Sequence, residues 1–363
     1  MTAEMTPINT PPLEPELNTK PGLKPLRKNI KWSIALSALI VVIVLTGVLV
    51  AYLNSRNNSD TIDSSNTEIT NTPSDTETPS PTPTLIIPKG TTWTRQGQAI
   101  DEKVADSDVV ALSDGRFRMY YGVQPDVRGN QLEIFSAISS DAINWTKEEG
   151  FRTNHMAFPD LVALDDGTWR MYGANQDGII SLTSADGLNF TKESGLRMTK
   201  QLSAIEDLNF VDLGAPTTLK MDDGTFMMVF RTGIKEYYPA FLTSQGIQFL
   251  IYATSSDGLS WETKGIAVDS RNDKFLGCLD GPDLHKQSDG AIKLYFWGLK
   301  GIYETTFTNG TFGDPELVFA TPNPDNEVQP PNQYSDPSVL QIGEELYMYY
   351  GQYQKGISYA KKI

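Results

Sequence analysis

Residues 163–173 read ALDDGTWRMYG, and residues 111–122 read ALSDGRFRMYYG. Looser copies centre on Asp223-Gly224, Asp289-Gly290 and a degenerate Gly343-Glu344. Each copy has a short apolar run before its turn: DVVAL, DLVAL, PTTLKM, PDLHK and PSVLQI. Each has an aromatic or aliphatic run after it: RFRMYYG, TWRMYG, TFMMVFR, AIKLYFWG and ELYMYYGQ. Asp-Gly between two β-rich runs is a strong hairpin signal, and the pattern predicts a tight turn with positive φ at both central residues.

A second hairpin follows in three copies, SAISSDAINWTKEEG, SLTSADGLNFTKESG and YATSSDGLSWETKG. Here Ser-x-Asp-Gly or a near variant turns the chain, and Trp145, Phe190 or Trp261 leads into the next strand. Two hairpins make a four-stranded antiparallel meander. Its recurrence every 50 to 65 residues or so describes propeller blades. No sustained 3.6-residue apolar spacing follows Leu53. The fifth copy ends at GISYAKKI, one strand short of a blade. TWTRQGQAIDEK, starting at Thr92, supplies it: Trp93 and Gly97 repeat the spacing of Trp261 and Gly265. The fold predicted for residues 89–363 is therefore an all-β, five-bladed β-propeller closed by its N-terminal strand, which removes two open sheet edges.

The run DSDVVALSDGRFRMYY with the SSDGLSW turns resembles the five-bladed propeller superfamily of arabinanases, xylosidases, invertases and levansucrases, with sialidase-like propellers related. The resemblance spans about Thr92 to Ile363. It implies a carbohydrate-handling propeller and, if enzymatic, a glycoside hydrolase. It also implies a base from the first blade, a second Asp from the next and a Glu acid from the third. Asp108 or Asp106 and then Asp160 fit the first two loosely. The third-blade pattern Glu-x-Pro is replaced by Gly214-Ala215-Pro216, leaving Asp212 or Glu206 as substitutes from the same loop.

In a propeller the innermost strands all start at one mouth of the central channel, so residues just before the apolar runs converge there. These are Asp106 and Asp108, Asp160, Asp212, Asp280 and Asp283, and Asp336. Paired carboxylates about 5 to 9.5 Å apart are what glycosidic cleavage requires. The candidate catalytic set is Asp108, Asp160 and Asp212. The candidate sugar-binding set is Asp106, Arg231, Tyr237, Tyr238, Asp283, His285 and Asp336. The same acids have other readings: hydrogen bonds to backbone amides of neighbouring blades, a structural cation site, exposure to solvent, or recognition of a glycan or protein without catalysis. Trp145, Trp169, Trp261 and Trp297 read as packing between blades. No metal cluster, phosphate loop or Gly-x-Ser-x-Gly elbow is present in the sequence. No cofactor is expected, although hard-cation chemistry permits a structural calcium or sodium ion.

The formal net charge of −15 argues against nucleic acid as a partner, because affinity there comes from Lys and Arg. The single cysteine, Cys278, reads as a small buried hydrophobe. Upstream of the propeller, residues 32–53, WSIALSALIVVIVLTGVLVAYL, carry no charge and match the roughly 20 apolar residues of a membrane span. Lys20, Lys24, Arg27, Lys28 and Lys31 precede it, which places residues 1–31 in the cytoplasm and the propeller outside. The apolar run exceeds the 7–15 residues of a signal peptide, so an uncleaved anchor is expected. Residues 54–88, rich in Ser, Thr and Pro, form a solvated spacer.

Overall fold

The computed structural model describes residues 91–124, 132–205, 208–236, 246–322, 334–352 and 355–363. The expected cytoplasmic tail, membrane span and spacer, residues 1–88, lie outside the described residues. So do Glu206, Tyr237 and Tyr238.

The described strands start with β1 (Trp93–Ile100). Blade one follows as β2 (Val104–Ala111), β3 (Phe117–Val123), β4 (Phe135–Ser139) and β5 (Thr146–Lys147). Blade two is β6 (Ala157–Ala163), β7 (Trp169–Asn175), β8 (Gly178–Ser184) and β9 (Thr191–Lys192). Blade three is β10 (Phe210–Lys220), β11 (Phe226–Ile234), β12 (Ile247–Ser255) and β13 (Glu262–Asp269). Blade four is β14 (Leu279–Lys286), β15 (Ile292–Gly298) and β16 (Gly301–Thr308), with β17 (Thr311–Phe312) and β18 (Glu316–Ala320) sharing its outer edge. Blade five is β19 (Tyr334–Ile342), β20 (Glu345–Gln352) and β21 (Gly356–Lys362).

Every blade is an antiparallel meander, and β1 pairs antiparallel with β21 to complete the fifth, Trp93 opposite Lys362. The ring therefore closes as expected. Thr92 N donates to Val318 O at 2.7 Å and Ile363 N to Thr92 O at 2.8 Å, so the first and last residues of the ring are fastened to each other and Thr92 to blade four. The innermost strands β2, β6, β10, β14 and β19 contact one another in a closed cycle around the channel.

Burial explains the strand assignments. In β11 all nine residues, FMMVFRTGI, are buried, because a strand between two stacked blades is covered on both faces. The apolar side chains form a core at each blade interface. One such core joins Tyr120 and Ile134 of blade one to Leu161 and Met171 of blade two, and another carries Trp93 beside Tyr295 and Tyr350.

The Asp-Gly turns differ from the expected geometry. Only the glycine takes positive φ, 85° at Gly115, 81° at Gly167, 84° at Gly224 and 87° at Gly290. Leu112 N donates to Arg116 O while Gly115 N donates to Leu112 O, the pattern of a type I turn closed by a left-handed glycine. The aspartate stays at negative φ because its carboxylate accepts the amide two residues on: Arg116, Thr168, Thr225 and Ala291 donate to Asp114, Asp166, Asp223 and Asp289 at 2.9–3.0 Å.

The Ser-x-Asp-Gly turns fasten blades together. Asp186 Oδ1 accepts the amides of Leu188 and Asn189, each at 2.8 Å, and Ser184 Oγ bonds the same carboxylate. The carbonyl exposed at each turn then receives a tyrosine hydroxyl from the preceding blade. Tyr120 donates to Gly187 O, Tyr172 to Gly258 O and Tyr349 to Ala142 O, at 2.6–2.8 Å.

Candidate functional site

All five innermost strands carry a bulge at the same place. The register against the second strand slips between Ala105 and Asp108, Ala157 and Asp160, Gly214 and Thr217, Asp280 and Asp283, and Ser335 and Ser338. The first bulged residue has positive φ in every case: Asp106 55°, Phe158 58°, Ala215 41°, Gly281 55° and Asp336 47°. Only one of the five is a glycine. Non-glycine residues in this region cost of order 1–3 kcal/mol each and persist where surrounding structure holds them, commonly at sites of function. The second bulged residue is Ser107, Pro159, Pro216, Pro282 or Pro337. These ten residues line a cavity of about 40 Å³ on the channel axis.

The residue after each bulge turns away from this cavity to the next blade. Leu161 N donates to Asp108 Oδ2 at 2.7 Å, Leu284 N to Thr217 Oγ1 at 2.9 Å, Val339 N to Asp283 Oδ2 at 3.0 Å and Val109 N to Ser338 Oγ at 3.1 Å. Asp160 takes the fifth place beside Thr218, where its Oδ2 and the Thr218 hydroxyl are both buried without a hydrogen-bond partner among the described residues. Four of the five positions thus hold a backbone amide of the next blade, and the link from blade five returns to blade one. Burial pushes the Asp108 carboxyl up to about 6, against the opposing pull of the Leu161 and Val109 amides. Burial, then the charge of Asp108, raises Asp160 and Asp283 well above the usual carboxylate range.

At the cavity itself two carboxyls meet. Asp106 and Asp336 come from blades one and five and hydrogen-bond to each other. Burial, then the charge of Asp336, raises Asp106 well above its ordinary value. Burial, then the charge of Asp280, raises Asp336 to about 6. Two carboxylates in contact share a proton rather than both ionise. Trp297 Nε1 donates to Asp336 Oδ1 at 3.1 Å, fixing that side chain.

Asp280, whose charge acts on both carboxyls, itself holds a buried cation. The buried Arg231 guanidinium on β11 is bonded to Asp212 through Nη1 and to Asp280 through Nε at 3.3 Å. Burial acts to discharge it, and the Asp280 and Asp212 charges outweigh burial and raise its pKa. A Cβ at Gly214 would stand 2.9 Å from Arg231 Nη2. The guanidinium thus occupies the space a side chain at Gly214 would need.

The residues expected from sequence therefore divide. Asp106 and Asp336 face each other at the mouth, with Asp212 and Arg231 paired nearby. Asp108 and Asp283 hold amides of the next blade, the occupation the amide-binding reading anticipates, and Asp160 stands at the equivalent position beside Thr218. His285 lies on β14 outside the residues lining the cavity. Burial lowers it to about 4, so it is neutral near pH 7, and its Nε2 has no partner among the described residues. Trp297 joins the site although its aromatic character reads as packing, whereas Trp145 and Trp261 pack edge-on against Tyr349 and Tyr172 of neighbouring blades. Phe158 was not anticipated at all. The repeated Pro at the second bulge position was the available signal for it. Among the described residues no group of three or more His, Cys, Asp or Glu side chains is arranged to hold a metal ion.

No protein-family model matches the chain, and no curated protein matches it in sequence. Solved structures share its fold. One described as a glycoside hydrolase is 13% identical over 76% of this chain and 92% of its own, with a TM-score of 0.54. An enzyme of the GH130 family, described as targeting β-1,2-mannosidic linkages in Candida mannan, is 12% identical over 76% and 95%, with a TM-score of 0.53. An α-L-arabinofuranosidase of Clostridium thermocellum is 17% identical over 71% and 89%, with a TM-score of 0.52. The chain has the five-bladed propeller architecture of this glycoside hydrolase group, at identities that establish the fold and leave the chemistry to the site.

Proposed function

We propose that this chain is a single-pass membrane protein that displays its propeller outside the cytoplasm and binds carbohydrate at the channel mouth without cleaving it. The observation that carries this reading is the content of the five equivalent mouth positions: Asp106, Phe158, Ala215, Gly281 and Asp336. Only two of them hold carboxyls, and those two are in contact. Glycosidic cleavage needs two carboxyls separated by about 5 to 9.5 Å, one on each side of the scissile bond. A phenylalanine, an alanine and a glycine stand where further acids would have to stand. Of the remaining buried acids, Asp108 and Asp283 hold amides of the next blade and Asp280 is paired with Arg231. What is left is a small concave mouth walled by prolines and apolar residues, with two convergent carboxyls and a serine to orient a hydroxylated ligand.

The uncharged run of residues 32–53 and the five basic residues upstream support the anchor and its orientation. The shared fold of the glycoside hydrolases supports a carbohydrate ligand. No cofactor is assigned, and a structural cation remains outside this reading. The full chain in detergent micelles, applied to a glycan array and to a panel of aryl-glycosides, tests it. Retention of a glycan with no aryl-glycoside turnover is expected. Turnover abolished by Asp106→Asn would overturn the non-cleaving part, and an array with no retained glycan would overturn the carbohydrate-binding part.

A further inference from the structure

The cavity at the mouth contains a polar group that nothing in the ring uses. Four of the five second-bulge residues are prolines, and the fifth is Ser107. Ser107 is 7% exposed, and its hydroxyl has no hydrogen-bond partner among the described residues. A buried hydroxyl without a partner is unfavourable, so its natural complement is a ligand atom. The same cavity is lined by Asp106 and Asp336. Three acceptor side chains thus converge on one small space.

We propose that this cavity seats a primary ammonium group carried by a sugar with a free amine, with Ser107 Oγ and the Asp106 and Asp336 carboxylates accepting its three N–H bonds. The assignment rests on the carbohydrate reading above and names the ligand's class. An ammonium has three donors and no acceptor; Ser107 Oγ and the two carboxylates each take one, and the Ser107 O–H is left to donate to a spare carboxylate lone pair. A single water needs about 10–15 Å³ by this measure. A cavity of about 40 Å³ therefore admits an amine and its carbon, while the sugar ring stays outside.

The competing groups fit less well. An acetamido nitrogen brings one donor and adds a carbonyl that would face carboxylates. A uronate would meet Asp106 and Asp336 directly, and the nearby Arg231 charge is already matched by Asp212 and Asp280. Seating the ammonium displaces the proton that the Asp106–Asp336 pair shares, and that proton leaves to solvent.

The test is isothermal titration calorimetry of the full chain with a glucosamine oligosaccharide, with the N-acetylated oligosaccharide of equal length, and with a trilysine peptide. The free-amine sugar is expected to bind at least about ten-fold more tightly than either comparator, the scale of one charge-assisted hydrogen bond. Ser107→Ala and the near-isosteric Asp106→Asn, each verified as folded by circular dichroism, are each expected to remove most of that preference. Equal or tighter binding of the N-acetylated sugar would overturn the proposal, as would equal binding of trilysine. So would a preference unchanged in Ser107→Ala, which would mark attraction to the acidic surface only. Failure of all amine sugars while the array retains a neutral glycan would overturn this inference and leave the carbohydrate reading standing. Failure of every glycan would remove both.

Discussion

Replacing Thr217 by valine and Asp283 by asparagine separates the two things a buried polar side chain can contribute here, an acceptor and a charge. Thr217 is 3% exposed, and its Oγ1 accepts the Leu284 amide of the next blade at 2.9 Å. Valine keeps the shape and the β-branching but leaves that amide buried without a partner, which costs about 1–3 kcal/mol. For a domain of this size each kcal/mol moves Tm by about 2–4 °C, so a fall of roughly 2–12 °C is expected. Asp283 holds the Val339 amide in the same way at 3.0 Å, yet its carboxyl is driven by burial toward the neutral form. Asparagine retains the accepting oxygen and removes the cost of burying a charge, so Asp283→Asn is expected to leave Tm at pH 7.5 unchanged or higher. Thermal unfolding followed by circular dichroism measures both. If Asp283→Asn lowers Tm as far as Thr217→Val, the ring of acids is doing electrostatic work that a circuit of hydrogen bonds does not explain.

Two further outcomes follow from the same geometry. Asp108 and Asp336 titrate near 6 in the fold and near 3.9 when unfolded. Between these values the folded chain holds more protons, so stability falls as pH rises, by up to about 3 kcal/mol for Asp108 alone. His285 works in the opposite direction. It titrates at about 4 when folded and about 6.5 when unfolded, so its contribution is lost as pH falls through that interval. The raised acids Asp106, Asp160 and Asp283 side with Asp108 and Asp336. Tm is therefore expected to be higher at pH 5 than at pH 7.5, with Asp108→Asn flattening the difference; a lower Tm at pH 5 would contradict this. Separately, Trp93 on the closing strand is 1% exposed and packs edge-on against Tyr295 of blade four. Trp93→Ala is expected to cost about 3–5 kcal/mol in a urea titration, and a cost below about 1 kcal/mol would mean that the closure contributes little.

The fold was legible because its signals are local. An Asp-Gly turn, a Ser-x-Asp-Gly turn and the spacing from Trp93 to Gly97 each lie within a few residues, and each needs specific side chains where it stands. The mouth was legible only in outline. Whether an aspartate at a strand entry faces the axis or the next blade depends on a bulge that shifts the register by one residue, and in β-structure one residue reverses the face. Asp106 stands in the bulge and Asp108 just after it, and they end in different surroundings. The amide bound by Asp108 is 53 residues away, and that bound by Ser338 is 229 away. No periodicity reports such partners. Phe158-Pro159-Asp160, Ala215-Pro216-Thr217, Gly281-Pro282-Asp283 and Asp336-Pro337-Ser338 did carry the pattern in sequence, as a proline one residue before each acceptor. Aligned on that proline, they place Phe158 and Ala215 at the axis. The pairing of Arg231 with Asp280 had no comparable signal, since it joins blades three and four through side chains alone.

The most direct measurement is the fate of a glycan that the full chain retains. After overnight incubation with wild type and with Asp106→Asn, mass spectrometry of the recovered ligand should show it intact in both cases. Shortened glycan from wild type, absent with Asp106→Asn, would mean that the two touching carboxyls at the mouth do chemistry, and the account of a binding propeller would be contradicted.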